Sequence, residues 1–563
     1  MCDVHSMNRK QTSLILAMAT VIQLPLLFIG IDLADTGQYM TFYEQIFDAP
    51  GSVEYHFIYY LSGILGGAWY ALWPGIFSLR VLGLLCNLWA VWILTRIIRD
   101  WRPVSLAVAV VLSGWYVSPM TFYYDTLTVT LAMTGVWLMV KGGDRSRIWL
   151  LLGGIVMGIN VFSRLSNLSG IIYVLFFFIA AIWRGKRMMC GAVWYSVGWF
   201  IGVGLVLLLM ALLGHIGIFA DSMGELLSVA RATGDEATHG MENLIAVQFN
   251  AWWRILKFIF VEGVLLLAFL YLRRKYVSKA YRVVFMLPVA LMGVYVVFKS
   301  SPVTFAAGVG LAGSVAVFFN CRDRNLWECS LAGLLMLFII PLGADGGIYN
   351  CGTIATWLSL AVAMTYFSGA IRSKKHWLIP GYRASMMLTL AFGSVMVFNV
   401  ARNGIYFDGS NIDDRFAKVP GELVYTSRQR KELIEDIVSE LNNYVEPGDT
   451  LMVYGSAPMF NYLTHTRPWI GCSWPESTTK SYIYRHLKTA EGHPMIVIVK
   501  FDTLGPAFGI PSDDFGHGGG NQHFFHNRIK SGVVYDFLEH NDYRPVYNDE
   551  YIVVYKYRAD AGL

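Results

Sequence analysis

The sequence predicts an all-α polytopic membrane bundle of about thirteen transmembrane helices, followed by a C-terminal α/β domain on the face away from the cytoplasm. Three observations predict it. Of 563 residues, 55% are hydrophobic and only 15% charged, with a mean hydropathy of +0.48. A water-soluble globule of that size has no interior large enough for so much apolar surface, so lipid must supply part of its solvent. Apolar runs long enough to cross a bilayer recur along the first 401 residues, and the basic residues between them alternate in side.

The runs fall at 13–31, 76–95, 103–119, 125–140, 148–163, 166–183, 189–213, 252–271, 283–298, 303–319, 326–342, 351–370 and 384–401. The first follows Arg9 and Lys10 as a signal peptide would. No small-residue cleavage site precedes Asp32, so it reads as a retained helix. Basic clusters such as Arg96–Arg102, Arg184–Arg187, Arg273–Arg282 and Arg372–Arg383 occupy every second loop, whereas the intervening loops hold only Arg164, Arg231 and Lys299. Basic loops stay in the cytoplasm, which puts the N-terminus inside and everything after about residue 402 outside. The chain thus divides into a membrane portion, 1–401, and a soluble extracytoplasmic α/β portion, 402–563.

Two outer loops are long. The first, 32–75, holds Asp32, Asp35, Glu44, Asp48 and Glu54 without a lysine or arginine, and its second half is aromatic (HFIYYLSGILGGAWYALW), as expected of short helices at the membrane interface. The second, 215–250, is polar around ARATGDEATHGMEN and reads as a mobile loop. In the tail, Thr426 and Gln429 fit a capping box ahead of a helix with Leu433, Ile434, Ile437, Val438 and Leu441 on one face. Strands are expected at 450–454, 495–499 and 551–557, and a long loop at 502–523.

Seven cysteines stand singly, which argues against a disulfide framework and a structural zinc site. His517, His523 and His526 lack an acidic or cysteine partner at fixed spacing and read as surface residues. Asp32 and Asp35 directly follow the first span. Carboxylates there suit a general base or a divalent cation (Mg or Mn) bridging to a phosphate, but equally the cap of a helix. Asp125, in FYYDTLT, lies where the fourth span enters from outside; it is either an ionisable group facing the bundle interior or an N-cap. Arg164 stands at an outer turn against the charge rule, placed for a lipid phosphate or for snorkelling to headgroups. Asp345 and Asn350 bracket a glycine-rich outer turn; the residue types favour an ordinary turn, and the pair could also hydrogen-bond a sugar or an acceptor.

Taken in order and by side, these positions resemble the GT-C glycosyltransferases that use polyprenyl-phosphate-linked sugars, with protein O-mannosyltransferases and the lipid A aminoarabinose transferase as the nearest branch. ADTGQY resembles the family's acidic motif after the first helix, with Asp35 and Tyr39 in matching positions. EYHFIYYLSGILGG and then SLRVLG resemble its next stretch, with His56 and Phe57 where the family has prolines. FYYDTLT resembles its second acidic position, and GGIVMGINVFSRLSN its glycine-rich helix followed by a base. The resemblance implies a multi-pass enzyme of the bacterial inner (plasma) membrane with Asp35 and Asp125 catalytic. It further implies that Arg164, His56 and Tyr39 meet the donor's lipid phosphate. The implied partners are a polyprenyl-phosphate-sugar donor, a glycan, lipid or protein acceptor, and membrane lipids, with no nucleic acid. Two other readings stay open: an O-antigen ligase or polymerase, and a flippase of lipid-linked glycans.

Overall fold

A computed structural model describes residues 7–98, 100–118, 121–143, 146–185, 188–231, 241–275, 278–344, 346–369, 381–405, 408–410, 415–511 and 528–558. The chain enters with α1 (Arg9–Gln23), a 3-10 turn (Leu24–Leu27), α2 (Asp35–Gln45), a 3-10 stretch (Pro50–Tyr59) and α3 (Tyr60–Leu72). There follow α4 (Ile76–Ile97), α5 (Trp101–Ser113), α6 (Tyr124–Gly142), α7 (Arg147–Asn160), a 3-10 stretch (Leu165–Tyr173), α8 (Val174–Arg184) and α9 (Met189–Leu212). The rest of the membrane portion is α10 (Ile216–Arg231), α11 (Met241–Lys275), α12 (Lys279–Lys299), α13 (Pro302–Asn320), α14 (Arg324–Ile339), α15 (Ile348–Ala355), α16 (Trp357–Gly369) and α17 (Gly381–Asn403).

Among the described residues, each apolar run named above lies mainly in helix. By length and apolarity, however, six helices among the described residues qualify as spans, or seven when α15 and α16, bent by 61° at their break, count as one. The thirteen expected crossings are not reached on those criteria, because segments such as Arg147–Asn160 and Val283–Lys299 are shorter apolar helices. Of the expected loop at 215–250, residues 216–231 and 241–250 are helical (α10 and the start of α11), and 232–240 lie outside the described residues. Ser222 and Glu225 lie on the buried side of α10, which packs on the 3-10 stretch 50–59.

Glycines set the tightest helix contact. A Cβ on Gly154 or Gly158 would stand 2.1 Å from the Tyr195 or Trp199 carbonyl oxygen, and one on Gly198 or Gly202 2.1 or 2.2 Å from those of Leu151 and Ile155. Each helix therefore offers a small-xxx-small face to the other, which lets α7 and α9 meet backbone to backbone. That contact fixes the end of α7, and the chain then turns through 161–163 to deliver Arg164.

The tail carries α18 (Arg428–Leu441), α19 (Met459–Leu463), α20 (Lys480–Thr489) and α21 (Arg528–His540). Its strands are β1 (Phe416–Lys418), β2 (Tyr425–Ser427), β3 (Thr450–Tyr454), β4 (Arg467–Pro468), β5 (Met495–Val499), β6 (Tyr543–Asn548) and β7 (Ile552–Tyr557). The main sheet has the order β4-β3-β5-β7-β6; β3 pairs in parallel with β4 and β5, and β7 lies antiparallel between β5 and β6. The expected capping box is displaced by one residue: Ser427 caps α18, while Thr426 donates to Asp408 Oδ2 at 2.7 Å.

The tail is stitched onto the first long loop and the residues that flank it. Gly30 N–H donates to the Tyr425 carbonyl at 2.8 Å, Tyr425 N–H to that of Phe28 at 2.7 Å, and Met459 N–H to that of Leu33 at 3.0 Å. Ile76 N–H reaches Glu422 Oε2 at 2.8 Å, and Tyr55 N–H the Gly471 carbonyl at 3.0 Å. Three ion pairs cross the same junction: Glu44 with His465, Glu54 with His486, and Glu225 with Arg485. In each the acid belongs to the membrane portion and the base to the tail. Loop 32–75 and the tail therefore lie on one face of the bundle.

Candidate active site

Asp35 begins α2 and is half-buried. Its placement depends on Asp32, which is 3% exposed. Asp32 Oδ1 accepts from Ala34 N–H at 2.9 Å and Oδ2 from Thr36 N–H at 2.7 Å, so it satisfies two of the unpaired donors that open the helix. Burial, and behind it the Asp35 carboxylate, push Asp32 up to about 7 against the pull of those two N–H groups. Of the two roles open to Asp32, the geometry supplies the cap.

Tyr39 lies one turn further along α2, 4% exposed, with its ring 5.3 Å from Tyr123 in a stacked arrangement and 5.8 Å from Tyr124 edge-on. Tyr124 in turn stacks on Tyr59 at 4.1 Å. Segment 122–125 is brought there by two hydrogen bonds: Tyr43 O–H to the Phe122 carbonyl at 2.9 Å and Phe122 N–H to that of Leu79 at 3.0 Å. Sequence reasoning quoted FYYDTLT for its aspartate and missed that its two tyrosines wall the site.

Asp125 is 4% exposed and within electrostatic reach of Asp35. It does not cap α6; Thr126 Oγ1 fills that place by accepting from Tyr123 N–H at 3.0 Å. Its partner is Arg164. Arg164 Nη1 lies 3.2 Å from Asp125 Oδ1 and 2.9 Å from Cys351 Sγ, and Nη2 donates to the Ile340 carbonyl at 2.5 Å. Arg164 is 6% exposed, which places it inside the bundle and disfavours the alternative in which it snorkels to the headgroups. Leu61 N–H donates to the Phe162 carbonyl at 2.7 Å and ties α3 to the turn before Arg164.

His56 is 1% exposed and sits elsewhere, at the junction with the tail. Its Nδ1 is 3.1 Å from Gln38 Nε2 and its Nε2 3.1 Å from Ser473 Oγ, and burial lowers its pKa to about 3. A neutral ring with both nitrogens engaged joins loop to tail and presents no charge to a phosphate. Asn350 is exposed on α15, one residue before the Cys351 that touches Arg164. Asp345, like His517, His523 and His526, lies outside the described residues.

Of the residues expected to hold a divalent cation, Asp32 has both oxygens facing backbone N–H groups, and Asp125 faces the Arg164 guanidinium. Among the described residues no three His, Cys, Asp or Glu side chains converge as a metal site. The site therefore has Asp35 and Asp125 within electrostatic reach of each other, with a capping acid, an arginine and tyrosine rings around them.

No protein-family model and no curated protein matches the sequence. Among solved structures, the arabinosyltransferase EmbB from Mycobacterium smegmatis matches at 13% identity and a TM-score of 0.31. The match covers 70% of this chain and 41% of that one, so the chain spans less than half the length of that enzyme.

Proposed function

We propose that the protein is a membrane glycosyltransferase that moves a sugar from a polyprenyl-phosphate donor to an acceptor hydroxyl on the extracytoplasmic face, with inversion. The observation that carries this reading is the half-buried Asp35 at the start of α2, beside a second carboxylate and a wall of tyrosine rings. A carboxylate there is favoured by the helix N-terminus. Asp35 takes the proton of the acceptor hydroxyl while that oxygen attacks the anomeric carbon. The bond from that carbon to the lipid phosphate breaks, and its electron pair leaves with polyprenyl phosphate. Asp125, held by Arg164, keeps the reacting region polar; Tyr39, Tyr123 and Tyr124 border it. Asn350 is placed on the neighbouring helix for a sugar hydroxyl. No step requires a metal.

The test is transfer from a radiolabelled polyprenyl-phosphate sugar by wild type, Asp35→Asn and Asp32→Asn at matched expression. Loss of a general base costs about 10²–10⁴ in rate, so Asp35→Asn should be nearly inactive while still inserting normally. Asp32→Asn, which keeps one acceptor for the cap, should lose less. Near-normal turnover by Asp35→Asn would move the base elsewhere, with Asp125 next to be examined. Release of free polyprenyl phosphate separates this reading from a flippase, which moves its cargo uncleaved.

A further inference from the structure

The SLRVLG segment contains an arginine that this chemistry leaves unused. Arg80, near the start of α4, is 5% exposed and donates to four consecutive-region carbonyls. Nη1 reaches the oxygens of Leu26 at 3.2 Å, Leu27 at 3.4 Å and Ile29 at 3.2 Å, and Nη2 that of Gly30 at 2.6 Å. The Leu26 and Leu27 carbonyls are among those that the end of the 3-10 turn leaves without helical partners, and those of Ile29 and Gly30 follow directly. A planar fork of donors can serve all four; a lysine ammonium, a single point, cannot.

The same few residues are held from the other side by the tail. Asp408, 1% exposed, accepts from Ile31 N–H at 2.8 Å through Oδ2 and from Ser410 N–H at 3.0 Å through Oδ1. Thr426 O–H binds Oδ2 as well, at 2.7 Å. Gly30 adopts φ +93°, a conformation that side chains rarely accept, and its N–H is taken by Tyr425. Residues 28–31 are thus gripped between an arginine of α4 and an aspartate 377 positions downstream of Ile31. Asp32 follows at once and caps α2, and Asp35 opens that helix.

We propose that Arg80 and Asp408 are positioning residues that together set where Asp35 stands, which makes the tail a structural part of the reaction site. The proposal rests on the reading of Asp35 as the base. It predicts a loss in turnover that substrate affinity does not share. Arg80→Lys and Asp408→Asn should each lower kcat by about 10- to 100-fold with KM for the donor nearly unchanged, the scale expected when a reacting group is misplaced by an ångström. In an Asp35→Asn background neither should lower the residual rate further, since both act through that carboxylate.

Hydrogen exchange on the full-length protein in detergent supplies the readout that needs no substrate. The amides of 29–37 should exchange faster in both variants, while those of α13 and α16 should keep their protection. Unchanged exchange at 29–37 in both variants would overturn the proposal, as would faster exchange with unaltered kcat, or losses that add to that of Asp35→Asn. Should one variant fail to fold, the other gives the same readings from the opposite side of the segment. A wild type that transfers no sugar from any polyprenyl-phosphate donor sinks the functional reading; the exchange result then still decides whether Arg80 and Asp408 hold the segment.

Discussion

Arg164 and Asp125 form an ion pair with side chains only 8% and 6% exposed, joined at 3.2 Å. Two ionic groups withdrawn from water this far depend on each other. Removing one partner strands the other charge, which typically costs about 3–5 kcal/mol, whereas replacing both by apolar residues is often near neutral. Arg164→Ala should therefore lower the melting temperature of the purified protein more than it weakens donor binding, contrary to what an exposed phosphate ligand would do. Arg164→Met combined with Asp125→Leu should regain most of that stability. A stable Arg164→Ala protein with poor donor affinity would return Arg164 to the phosphate.

Gly37 marks the closest approach of α2 to the tail. A Cβ there would stand 2.2 Å from the Met459 backbone nitrogen and 2.5 Å from its Cα, and backbone atoms cannot swing aside as a flexible side chain would. Met459 N–H is also the donor to the Leu33 carbonyl, so a displaced α19 gives up that bond too. Overpacking of this kind costs about 1–3 kcal/mol. Gly37→Ala should lower thermal stability by that amount and accelerate proteolysis within 455–465; an unshifted melting curve would mean the junction yields more easily than its geometry allows.

The parts of this molecule that a local pattern encodes were legible. Apolar runs gave the helices, and β-branched runs gave β3, β5 and β7. Strand β6, YRPVYN, was missed because an edge strand tolerates proline and carries no apolar alternation. Asp35 was singled out because it follows a span in a loop without bases. Its surroundings were not legible. Arg80 meets carbonyls about 50 positions away, Asp408 meets Ile31 across 377, and Arg164 meets Cys351 across 187. No periodicity or spacing announces such pairs, and Arg164 looked exposed because sequence alone does not bring Asp125, Ile340 and Cys351 around it.

Two histidines make the junction sensitive to pH. The hydrogen bond from Glu44 raises the pKa of His465. For His486 burial pulls down, but the Glu54 carboxylate and the Tyr482 carbonyl carry it above its ordinary value. A histidine with a raised folded-state pKa adds stability that is complete below about 6.5 and is lost as pH rises through the raised value. His465 is 55% exposed and contributes little through solvent, which leaves His486, 20% exposed, as the main source. Exchange protection of α20 and its contact with 50–59 should fall as pH rises above about 6.5, and His486→Gln should flatten that dependence. A slope that survives His486→Gln would have to come from another group.

The docking of the tail on loop 32–75 also constrains topology. Both lie on one face, so an even number of crossings must separate them. Of the seven spans counted with the bent pair α15–α16 as one, six follow the loop, which satisfies the condition; six spans in all would leave five, which does not. The thirteen apolar runs satisfy it too, with twelve after the loop. Charge then decides which face it is. The loop carries five acids and no base, and the basic clusters fall on the opposite side, so loop and tail should both be outside the cytoplasm. A reporter active only outside, fused after Leu563, should be active, and one fused after Arg184 inactive. A cysteine introduced at the exposed Leu72 should react with a membrane-impermeant maleimide in intact cells. An inactive tail fusion with a stable product, or a protected Leu72→Cys, would reverse the orientation and carry Asp35 to the cytoplasmic side with it.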